Sequence, residues 1–276
     1  MAAVILSYNH ENLTRRCIDS VLKYFSQSSI YLVHNGTQEK IVHDFRKSYK
    51  DVHHLYIKVN RGFTGGINKG LEEIFNKNIQ NVLFLTNDTQ IEQLDVQALQ
   101  SLNESPFLLA PKIFRRQTSN IDSMGGICNL QTGTLQHLQG PAENLKKFER
   151  FYVPGTAFFI NKTAWSTTGP FDESLGTYWE DVDYSLRAAK KSVQLGVIPA
   201  VVLLHGIGKT CHKDPRYTIF HYHRNRRVVV WRHGGPRDRI KFAPRYLVHM
   251  TRKLFKFAYH GDEKRLKLTL KALVSW

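Results

Sequence analysis

The alternation of apolar runs and helical patterns in the N-terminal half is the feature that most constrains the fold. Ala3–Tyr8 is a continuous apolar run, and Asn12–Phe25 carries apolar residues at helical spacing. A second helical pattern covers residues 41–49, and three further strands are predicted at Ile30–Val33, His54–Val59 and Val82–Leu85. This order predicts an α/β fold in which helices cover both faces of a mostly parallel sheet. In such sheets, ligands bind beyond the carboxyl ends of the strands.

Composition limits the compartment. The chain has 276 residues, of which 42% are hydrophobic and 22% are charged, as in an ordinary globular protein. Its three cysteines, Cys17, Cys128 and Cys211, are odd in number and widely spaced, so we expect a reducing cytosol and no disulfide framework. Residues 1–8 lack a basic start and are predicted to form a buried strand instead of a signal peptide. With no run of about 18 apolar residues, the chain is expected to be soluble or peripheral.

The net charge of +16 is concentrated in the last fifth of the chain. Residues 224–276 hold 15 Lys or Arg against 3 acids. Apolar residues recur there at helical spacing: Ile240, Ala243, Tyr246, Leu247, Met250, Leu254 and Phe257. Basic residues are interleaved among them: Lys241, Arg245, Arg252, Lys253 and Lys256. Such a helix suits an anionic membrane surface, or it packs on the main domain with a solvated basic face. Nucleic-acid binding is a third alternative, but no binding motif accompanies the charge.

A cluster of acids lies in the segment 178–187. Glu180, Asp181 and Asp183 follow the aromatic pair Tyr178–Trp179 and precede apolar residues at helical spacing. The acids are therefore predicted at the first turn of a helix, where they complement the helix dipole. A carboxylate beside an apolar wall can also have its pKa tuned for proton abstraction. Both interpretations stay open on this segment alone.

A glycine-rich segment follows the third predicted strand. Gly62, Gly65, Gly66 and Gly70 are predicted to lie between a strand and a helix. Glycines at such a place let the backbone approach a phosphate, and a helix start offers free N–H groups. The segment matches neither the dinucleotide fingerprint nor the P-loop. A purely structural tight turn is the alternative.

Two further strand ends carry metal-ligand chemistry. Asn87-Asp88 ends the strand Val82–Leu85, where a carboxylate could hold Mg²⁺ or Mn²⁺ against a diphosphate. His205 ends a later apolar run and precedes the segment Gly206–Thr210, so it is a candidate metal ligand or phosphate contact. An Asx-turn at Asn87 and a structural histidine at 205 are the competing interpretations.

These motifs, in this order, resemble the family 2 glycosyltransferases, which have the GT-A fold. The resemblance runs from Val4 to about Arg227 and is strongest to rhamnosyltransferase-type members. The motifs that carry it are Val-Ile-Leu-Ser-Tyr-Asn at 4–9, Asn-Arg-Gly-Phe-Thr-Gly-Gly-Ile-Asn-Lys-Gly at 60–70, Leu-Thr-Asn-Asp-Thr at 85–89, Gly-Thr-Ala-Phe-Phe-Ile at 155–160, Gly-Pro-Phe-Asp-Glu at 169–173, Trp-Glu-Asp-Val-Asp at 179–183, His-Gly at 205–206 and Tyr-His-Arg-Asn at 222–225.

The resemblance implies an inverting transfer of a sugar from a nucleotide diphosphate sugar to an acceptor hydroxyl. Asp181 matches the usual general base of the family, and Glu180 would position the acceptor or the base. Asp172, Glu173 and Trp179 would line the acceptor pocket. The products implied are bacterial surface polysaccharides or glycoprotein glycans.

The resemblance also implies a donor site with a divalent cation. Asp88 would bind Mg²⁺ or Mn²⁺, with His205 as an additional ligand. The residues that would face the donor are Ser7, Tyr8, Asn9, Asn35, Gly65, Gly66, Asn68, Asn87 and Arg224. Two positions depart from the family pattern: His34 replaces a common Asp, and Thr86 replaces the first acid of the DxD motif. The departures predict an altered nucleoside contact and weaker metal binding.

The predicted organisation is a GT-A domain over residues 1–223 and a basic amphipathic helical region over residues 224–276. Expected partners are a UDP- or dTDP-linked sugar donor, a glycan or lipid-linked acceptor, an anionic membrane surface and a second copy of the chain, but no nucleic acid. The expected location is the cytoplasm, including the inner face of the plasma membrane. A non-catalytic carbohydrate- or membrane-binding module of the same fold and a sugar nucleotidyltransferase are the alternative functions.

Overall fold

The strand and helix order expected for the N-terminal half is present in the computed structural model. The structure describes residues 1–102, 104–116, 118, 120–140, 142, 145–206 and 216–276. The predicted segment Ile207–Thr210 and Cys211 therefore lie outside the described residues. The strands of the described part are β1 (Ala2–Ser7), β2 (Ile30–Asn35), β3 (His53–Ile57), β4 (Asn81–Thr86), β5 (Thr89–Leu94), β6 (Phe107–Arg115), β7 (Ile121–Ser123), β8 (Gly126–Asn129), β9 (Thr134–His137), β10 (Glu149–Tyr152), β11 (Ala157–Asn161) and β12 (Gln194–His205).

Helices cover the strands and extend the chain beyond them. They are α1 (Glu11–Val21), α2 (Glu39–Ser48), α3 (Gly62–Asn76), α4 (Val96–Gln100), α5 (Lys162–Thr168), α6 (Glu180–Lys190), α7 (Tyr222–His233), α8 (Pro236–Tyr259) and α9 (Glu263–Val274). The predicted helix after the acidic segment is confirmed as α6. Within the described ranges, no helix combines the length and apolar character needed to cross a membrane.

The main sheet has the strand order β3-β2-β1-β4-β11-β6-β12-β5, with β7 paired to β6. The predicted parallel arrangement is confirmed for β3, β2, β1 and β4. Beyond β4 the sheet is mixed, because β11 runs antiparallel to both of its neighbours while β12 is parallel to β6. The carboxyl ends of β1 and β4 therefore lie side by side and place Ser7 next to the residues after Thr86.

Three apolar clusters hold these layers together. One packs α1 and α2 against one face of the sheet through residues such as Ile18 and Phe45. The second packs α3, α5 and α6 against the other face through Ile67, Ala164 and Tyr184. Alternate residues of β1 supply both clusters, as a strand buried on two faces requires.

A small antiparallel sheet, in the order β10-β8-β9, belongs to the third cluster. There, Cys128 and Tyr152 pack with residues of α6, α7 and α8, including Val182, Val229 and Met250. The sequence analysis did not predict this sheet, because its strands are short and show no regular alternation. The expected domain boundary at residue 223 falls inside α7, and the third cluster contains residues from both sides of it.

The glycine-rich segment differs from its prediction as a loop. Gly62, at φ +74°, begins α3, and the N–H of Gly62 donates to Asn60 Oδ1 at 2.8 Å. Gly65 and Gly66 lie within the helix, and both are buried. A Cβ atom on Gly66 would lie 2.5 Å from Leu6 Cδ1. The glycines at 65 and 66 are therefore part of a helix that packs closely on β1.

The basic C-terminal region also differs in detail from its prediction. A helix is confirmed there, but α8 buries Phe242, Tyr246, Met250 and Phe257. Ile240 and Leu247, expected on the same apolar face, are 72% and 58% exposed. Helical spacing predicted one apolar face for most of these residues. In the structure, only some of them are buried, and Ile240 and Leu247 are exposed.

Candidate active site

A cavity of about 330 Å³ opens at the carboxyl ends of the central strands. Asp88, two residues past β4, and His205, the last residue of β12, form one side of it. Glu180 and Asp181, from the first turn of α6, contribute the carboxyl pair. Tyr152, from the small sheet, closes another side. The fold therefore brings Asp88 and the Glu180–Asp181 pair, which are distant in sequence, to one cavity.

Asp181 is held by backbone hydrogen bonds. Its Oδ2 accepts the N–H of Gly155 at 3.0 Å, and its Oδ1 accepts the N–H of Val182 at 2.8 Å. Burial raises the pKa of Asp181, and these two N–H groups oppose the rise. The result is a fixed carboxyl group with the character of a base.

Glu180 lies beside Asp181 and is 6% exposed. Its Oε2 has no hydrogen-bond partner among the described residues. Burial, followed by the charge of Asp181, raises the pKa of Glu180 well above the usual range. Two adjacent buried carboxyls cannot both ionise cheaply, so the pair favours a state in which one of them holds a proton.

The turn before this pair has a strained backbone. Tyr178 and Trp179 adopt φ values of 63° and 70°, a left-handed conformation that costs about 1–3 kcal/mol per residue without a Gly. Asn225 of α7 stabilises the turn, because its buried amide donates to the carbonyls of Leu175 at 2.7 Å, Thr177 at 2.9 Å and Tyr178 at 2.8 Å. Asn225 belongs to the motif at 222–225, but its role at this turn was not predicted from the sequence.

On the opposite side of the cavity, Asp88 and His205 contact each other. Asp88 Oδ2 lies 3.3 Å from His205 Nε2, and Asp88 Oδ1 accepts the hydroxyl of Thr86 at 2.7 Å. Thr86, which replaces the first acid of the DxD pattern, therefore orients Asp88. Burial alone would lower the pKa of His205, but hydrogen bonds to Asp122 and Asp88 raise it to about 9.

Asp122 supports the site from behind His205 and was not predicted from the sequence. It lies on β7 and places Oδ2 at 3.4 Å from His205 Nδ1, while its Oδ1 accepts from Arg115 Nε at 2.8 Å. A carboxylate on one ring nitrogen fixes the histidine so that the other nitrogen faces a metal. No pattern in the sequence links Asp122 to His205, since β7 has only three residues.

The chemistry of this donor set fits a divalent cation. A carboxylate oxygen of Asp88 and an imidazole nitrogen of His205 face each other at the cavity, and both are ligands that Mn²⁺ accepts. Asp122 contacts the other ring nitrogen of His205 and does not line the cavity, so no group of three described side chains could hold a metal ion together. A cation here would therefore take further ligands from the phosphates of a donor.

Several residues predicted to face the donor are hydrogen-bonded to one another or to Thr14. Ser7 Oγ lies 3.0 Å from Thr14 Oγ1, and Asn87 Nδ2 donates to Thr14 Oγ1 at 2.9 Å and to the carbonyl of Asn9 at 3.2 Å. Tyr8 is 40% exposed at the same edge. Ser7 and Asn87 thus connect the loops after β1 and β4, and Tyr8 stays accessible.

Asn35, also predicted to face the donor, has a fully engaged side chain. Its amide donates to Asn60 Oδ1 at 3.1 Å and to the carbonyl of Gly62 at 2.7 Å, and its Oδ1 accepts from the N–H of Arg61 at 3.0 Å. Asn35 therefore fixes the start of α3. The neighbouring His34 is buried with Nε2 at 3.0 Å from His54 Nδ1, away from the cavity.

Asn68 connects α3 to the segment before α6. Its Nδ2 donates to the carbonyl of Phe171 at 2.9 Å, and its Oδ1 accepts the N–H of Phe171 at 2.8 Å. Together with Gly65 and Gly66 it is buried. These three predicted donor contacts do not line the cavity in the described structure.

The predicted acceptor residues divide into two groups. Trp179 lines the cavity. Asp172 and Glu173 instead form ion pairs at 2.5 Å with Arg232 and at 2.7 Å with Arg61. Arg224, expected near the leaving group, donates to the carbonyl of Ser174 at 2.8 Å. In the described structure, Asp172, Glu173 and Arg224 lie outside the cavity lining.

Comparison with known proteins agrees with this architecture. The chain is 25% identical over 164 residues to the low-salt glycan biosynthesis hexosyltransferase Agl10 of Haloferax volcanii, covering 57% of this chain and 53% of that protein. It is 22% identical over 208 residues to the dTDP-rhamnosyl transferase RfbF of Shigella flexneri, covering 75% and 69%. The chain thus spans about half the length of Agl10.

Solved structures share the fold. The mannosyltransferase PcManGT from Pyrobaculum calidifontis, in complex with GDP-Man and Mn²⁺, matches 99% of this chain and 74% of its own, with a TM-score of 0.55 and 12% identity. The fold is that of the GT-A glycosyltransferases. The family model for glycosyl transferase family 2 matches residues 2–161, more than half of the chain. The chain therefore belongs to glycosyl transferase family 2.

Proposed function

We propose that this chain is a glycosyltransferase that inverts the configuration of the transferred sugar, with Asp181 as the general base. The single observation that carries the proposal is the buried Glu180–Asp181 pair on the same cavity as Asp88 and His205. Asp181 takes the proton of the acceptor hydroxyl as its oxygen attacks the anomeric carbon. The nucleoside diphosphate leaves from the opposite face of that carbon.

The two carboxyl groups of the pair have different roles. In this role Asp181 is the carboxylate, held at the cavity lining by the N–H groups of Gly155 and Val182. Glu180, kept neutral by burial and by Asp181, offers a proton for a hydrogen bond to an acceptor oxygen. Trp179 provides an apolar surface beside them. This arrangement resembles other sites in which neighbouring carboxyls take separate acid and base roles.

Asp88 and His205 would hold a Mg²⁺ or Mn²⁺ ion, with Asp122 supporting the imidazole. When bound, the cation neutralises charge on the diphosphate. The Mn²⁺ and GDP-Man in the PcManGT complex support this assignment. The exposed Tyr8, at the end of β1, would contact the nucleoside.

The donor is a UDP- or dTDP-linked hexose or rhamnose, and the acceptor is a hydroxyl of a glycan or of a lipid-linked saccharide. The names of Agl10 and RfbF support a hexosyl or rhamnosyl donor and glycan assembly. The pathway is bacterial surface polysaccharide or glycoprotein glycan synthesis, and the enzyme acts in the cytoplasm.

Residues 1–223 are the catalytic domain, and a homodimer is compatible with this assignment.

Nucleoside diphosphate release tests the proposal. Purified protein is incubated with dTDP-rhamnose, UDP-glucose, UDP-galactose or UDP-galactofuranose, with Mn²⁺ or Mg²⁺, and with saccharide acceptors. We expect release from one donor and loss of release with a chelator. Asp88→Ala should weaken donor binding in the presence of the metal but not in its absence. Pyrophosphate as the product would instead identify a nucleotidyltransferase, and absence of any release would favour a binding module.

A further inference from the structure

Helix α8 has two apolar faces, and only one of them is buried. Phe242, Tyr246 and Met250 pack into the third cluster, and Phe257 is also buried. At about 100° per residue, these four positions form one side of the helix. They account for the attachment of α8 to the rest of the chain, so any apolar residues on the opposite side need a different explanation.

The opposite side of α8 carries a second apolar stripe, which we call the outer stripe. Its members are Ile240, Pro244, Val248, Phe255 and Tyr259. Ile240 is 72% exposed, Val248 50%, Phe255 73% and Tyr259 88%. Their spacing of four, four, seven and four residues keeps them on one side of the helix. Single exposed apolar residues are ordinary on protein surfaces, but a continuous stripe indicates an interaction surface.

Basic side chains border the outer stripe. Lys241, Arg245, Arg252 and Lys256 are exposed. On the helical wheel they lie next to Val248 and Tyr259, along one edge of the stripe. No acidic residue occurs between Ile240 and Tyr259, so this face combines apolar bulk with an uninterrupted positive charge.

This combination selects among partners. A second copy of the chain would bring an equally basic helix against this one, and like charges in contact are unfavourable. Nucleic acid would use the positive charge but would leave the aromatic and aliphatic side chains without a partner. An anionic bilayer satisfies both, because apolar side chains enter the acyl region while Lys and Arg contact the headgroups.

We propose that the outer stripe of α8 docks the protein on an anionic lipid bilayer, with Phe255 and Val248 inserted and the basic edge on the lipid headgroups. The helix lies in the plane of the interface and does not cross the membrane. Its inner face keeps its packing on the protein. Docking needs no turnover, so it stands or falls separately from the proposed glycosyl transfer.

Vesicle binding of the full chain tests the proposal. We expect co-sedimentation with vesicles that contain phosphatidylglycerol, and much weaker binding to neutral phosphatidylcholine vesicles. Phe255→Ser combined with Val248→Ser should lower partitioning at least about tenfold, because the inserted apolar area is lost. Arg252→Gln combined with Lys256→Gln should lower it by about tenfold or more, since each basic residue near the surface contributes about 1 kcal/mol.

Matched controls lie on another part of the surface. Val59, 72% exposed, and Lys50, also exposed, lie far from α8 in the sequence. Val59→Ser and Lys50→Gln should leave vesicle binding unchanged, and circular dichroism should show that every variant is folded. Equal binding to neutral and anionic vesicles, full binding by the Phe255→Ser and Val248→Ser variant, or a dimer that this variant disrupts without any vesicle binding would each overturn the proposal.

Discussion

The segments at α3 and at the start of α6 were both predicted to bind substrate, but their polar side chains differ in how they are hydrogen-bonded. Around α3, the side-chain amides of Asn35 and Asn68 make their hydrogen bonds within the protein, while the hydroxyl of Thr64 is buried without a partner among the described residues. At the start of α6, Glu180 Oε2 and the indole N–H of Trp179 are buried without partners among the described residues. Burying such groups costs free energy. We therefore propose that the two amides at α3 have a scaffold role and that a ligand completes the hydrogen bonding at the start of α6.

The backbone supports the same distinction. Gly62, at the start of α3, adopts its positive φ at little cost because it lacks a Cβ. Tyr178 and Trp179, before α6, adopt positive φ with large side chains and are strained. Strain of this kind persists where the surroundings impose it, here through Asn225. A glycine at either position would relieve the strain, but it would also hold the side chain of Asp181 less firmly in place.

The largest effect is expected for Asp181→Asn. Loss of the base should lower kcat by about 10²–10⁴-fold while the donor dissociation constant changes little. Because burial raises the pKa of Asp181 in the folded state, its charge opposes folding at neutral pH, so the melting temperature should not fall. Product release and thermal unfolding measure the two effects.

Asp183→Asn is the matched control, two residues along the same helix. His233 and Arg187 offset the burial of Asp183 and lower its pKa, so its ionised form stabilises the fold at neutral pH. This variant should lose stability at neutral pH, and the loss should shrink as the pH falls below the usual range of Asp. A larger loss of kcat in Asp183→Asn than in Asp181→Asn would contradict the base assignment.

Asn225→Ala is expected to have the next largest effect. It leaves three carbonyls of the strained turn without their amide donor, so Asp181 should be misplaced. A misplacement of about 1 Å can lower kcat by about 100-fold. Asn68→Ala is its counterpart at α3 and also removes a buried amide that fixes another segment. If α3 is scaffold, Asn68→Ala should reduce stability and leave kcat per folded molecule nearly unchanged; loss of donor affinity would restore the predicted donor role.

Gly66→Ala is a smaller perturbation of α3. The new Cβ would lie 2.5 Å from Leu6 Cδ1 and 3.0 Å from Asn35 Nδ2. Overpacking costs about 1–3 kcal/mol, partly offset by the gain of about 1 kcal/mol for Ala over Gly in a helix. Urea unfolding should therefore show a net loss of up to about 2 kcal/mol. Gly140→Ala, which meets no atom within 4 Å, should change stability little.

The sequence predicted those parts of the molecule in which local pattern and tertiary structure agree. The strands near Val4 and Phe84 are continuous apolar runs, and the acids at 180–183 do begin a helix. The antiparallel insertion of β11 between β4 and β6 was not predictable, because no local pattern records which strands pair. Asp122 is similar, since only the pairing of β6 with both β7 and β12 brings it to His205.

In the glycine-rich segment, the local sequence does not decide between two structures. Its composition is compatible with a phosphate loop and with a helix that needs close packing, and the sequence contains nothing that separates the two. What separates them is the approach of Gly66 to Leu6 and of Gly70 to Val4, which depends on how α3 lies across β1. In α8, likewise, helical spacing placed Ile240 and Tyr246 together, while the packing direction sets them on different sides.

The smallest effect is expected for Glu180→Gln, which tests whether Glu180 is protonated at the start of α6. Burial and the charge of Asp181 raise the pKa of Glu180 well above the usual range, so we expect Glu180 to be protonated and an uncharged amide to leave the pKa of Asp181 nearly unchanged. The acid limb of the kcat/KM profile, which lies above the usual range of Asp because that pKa is raised, should not move. The rate should fall by less than about tenfold, the value of roughly one neutral hydrogen bond. A shift of the limb to lower pH would mean that Glu180 is ionised, and the pair would then carry two charges that only a cationic partner could stabilise.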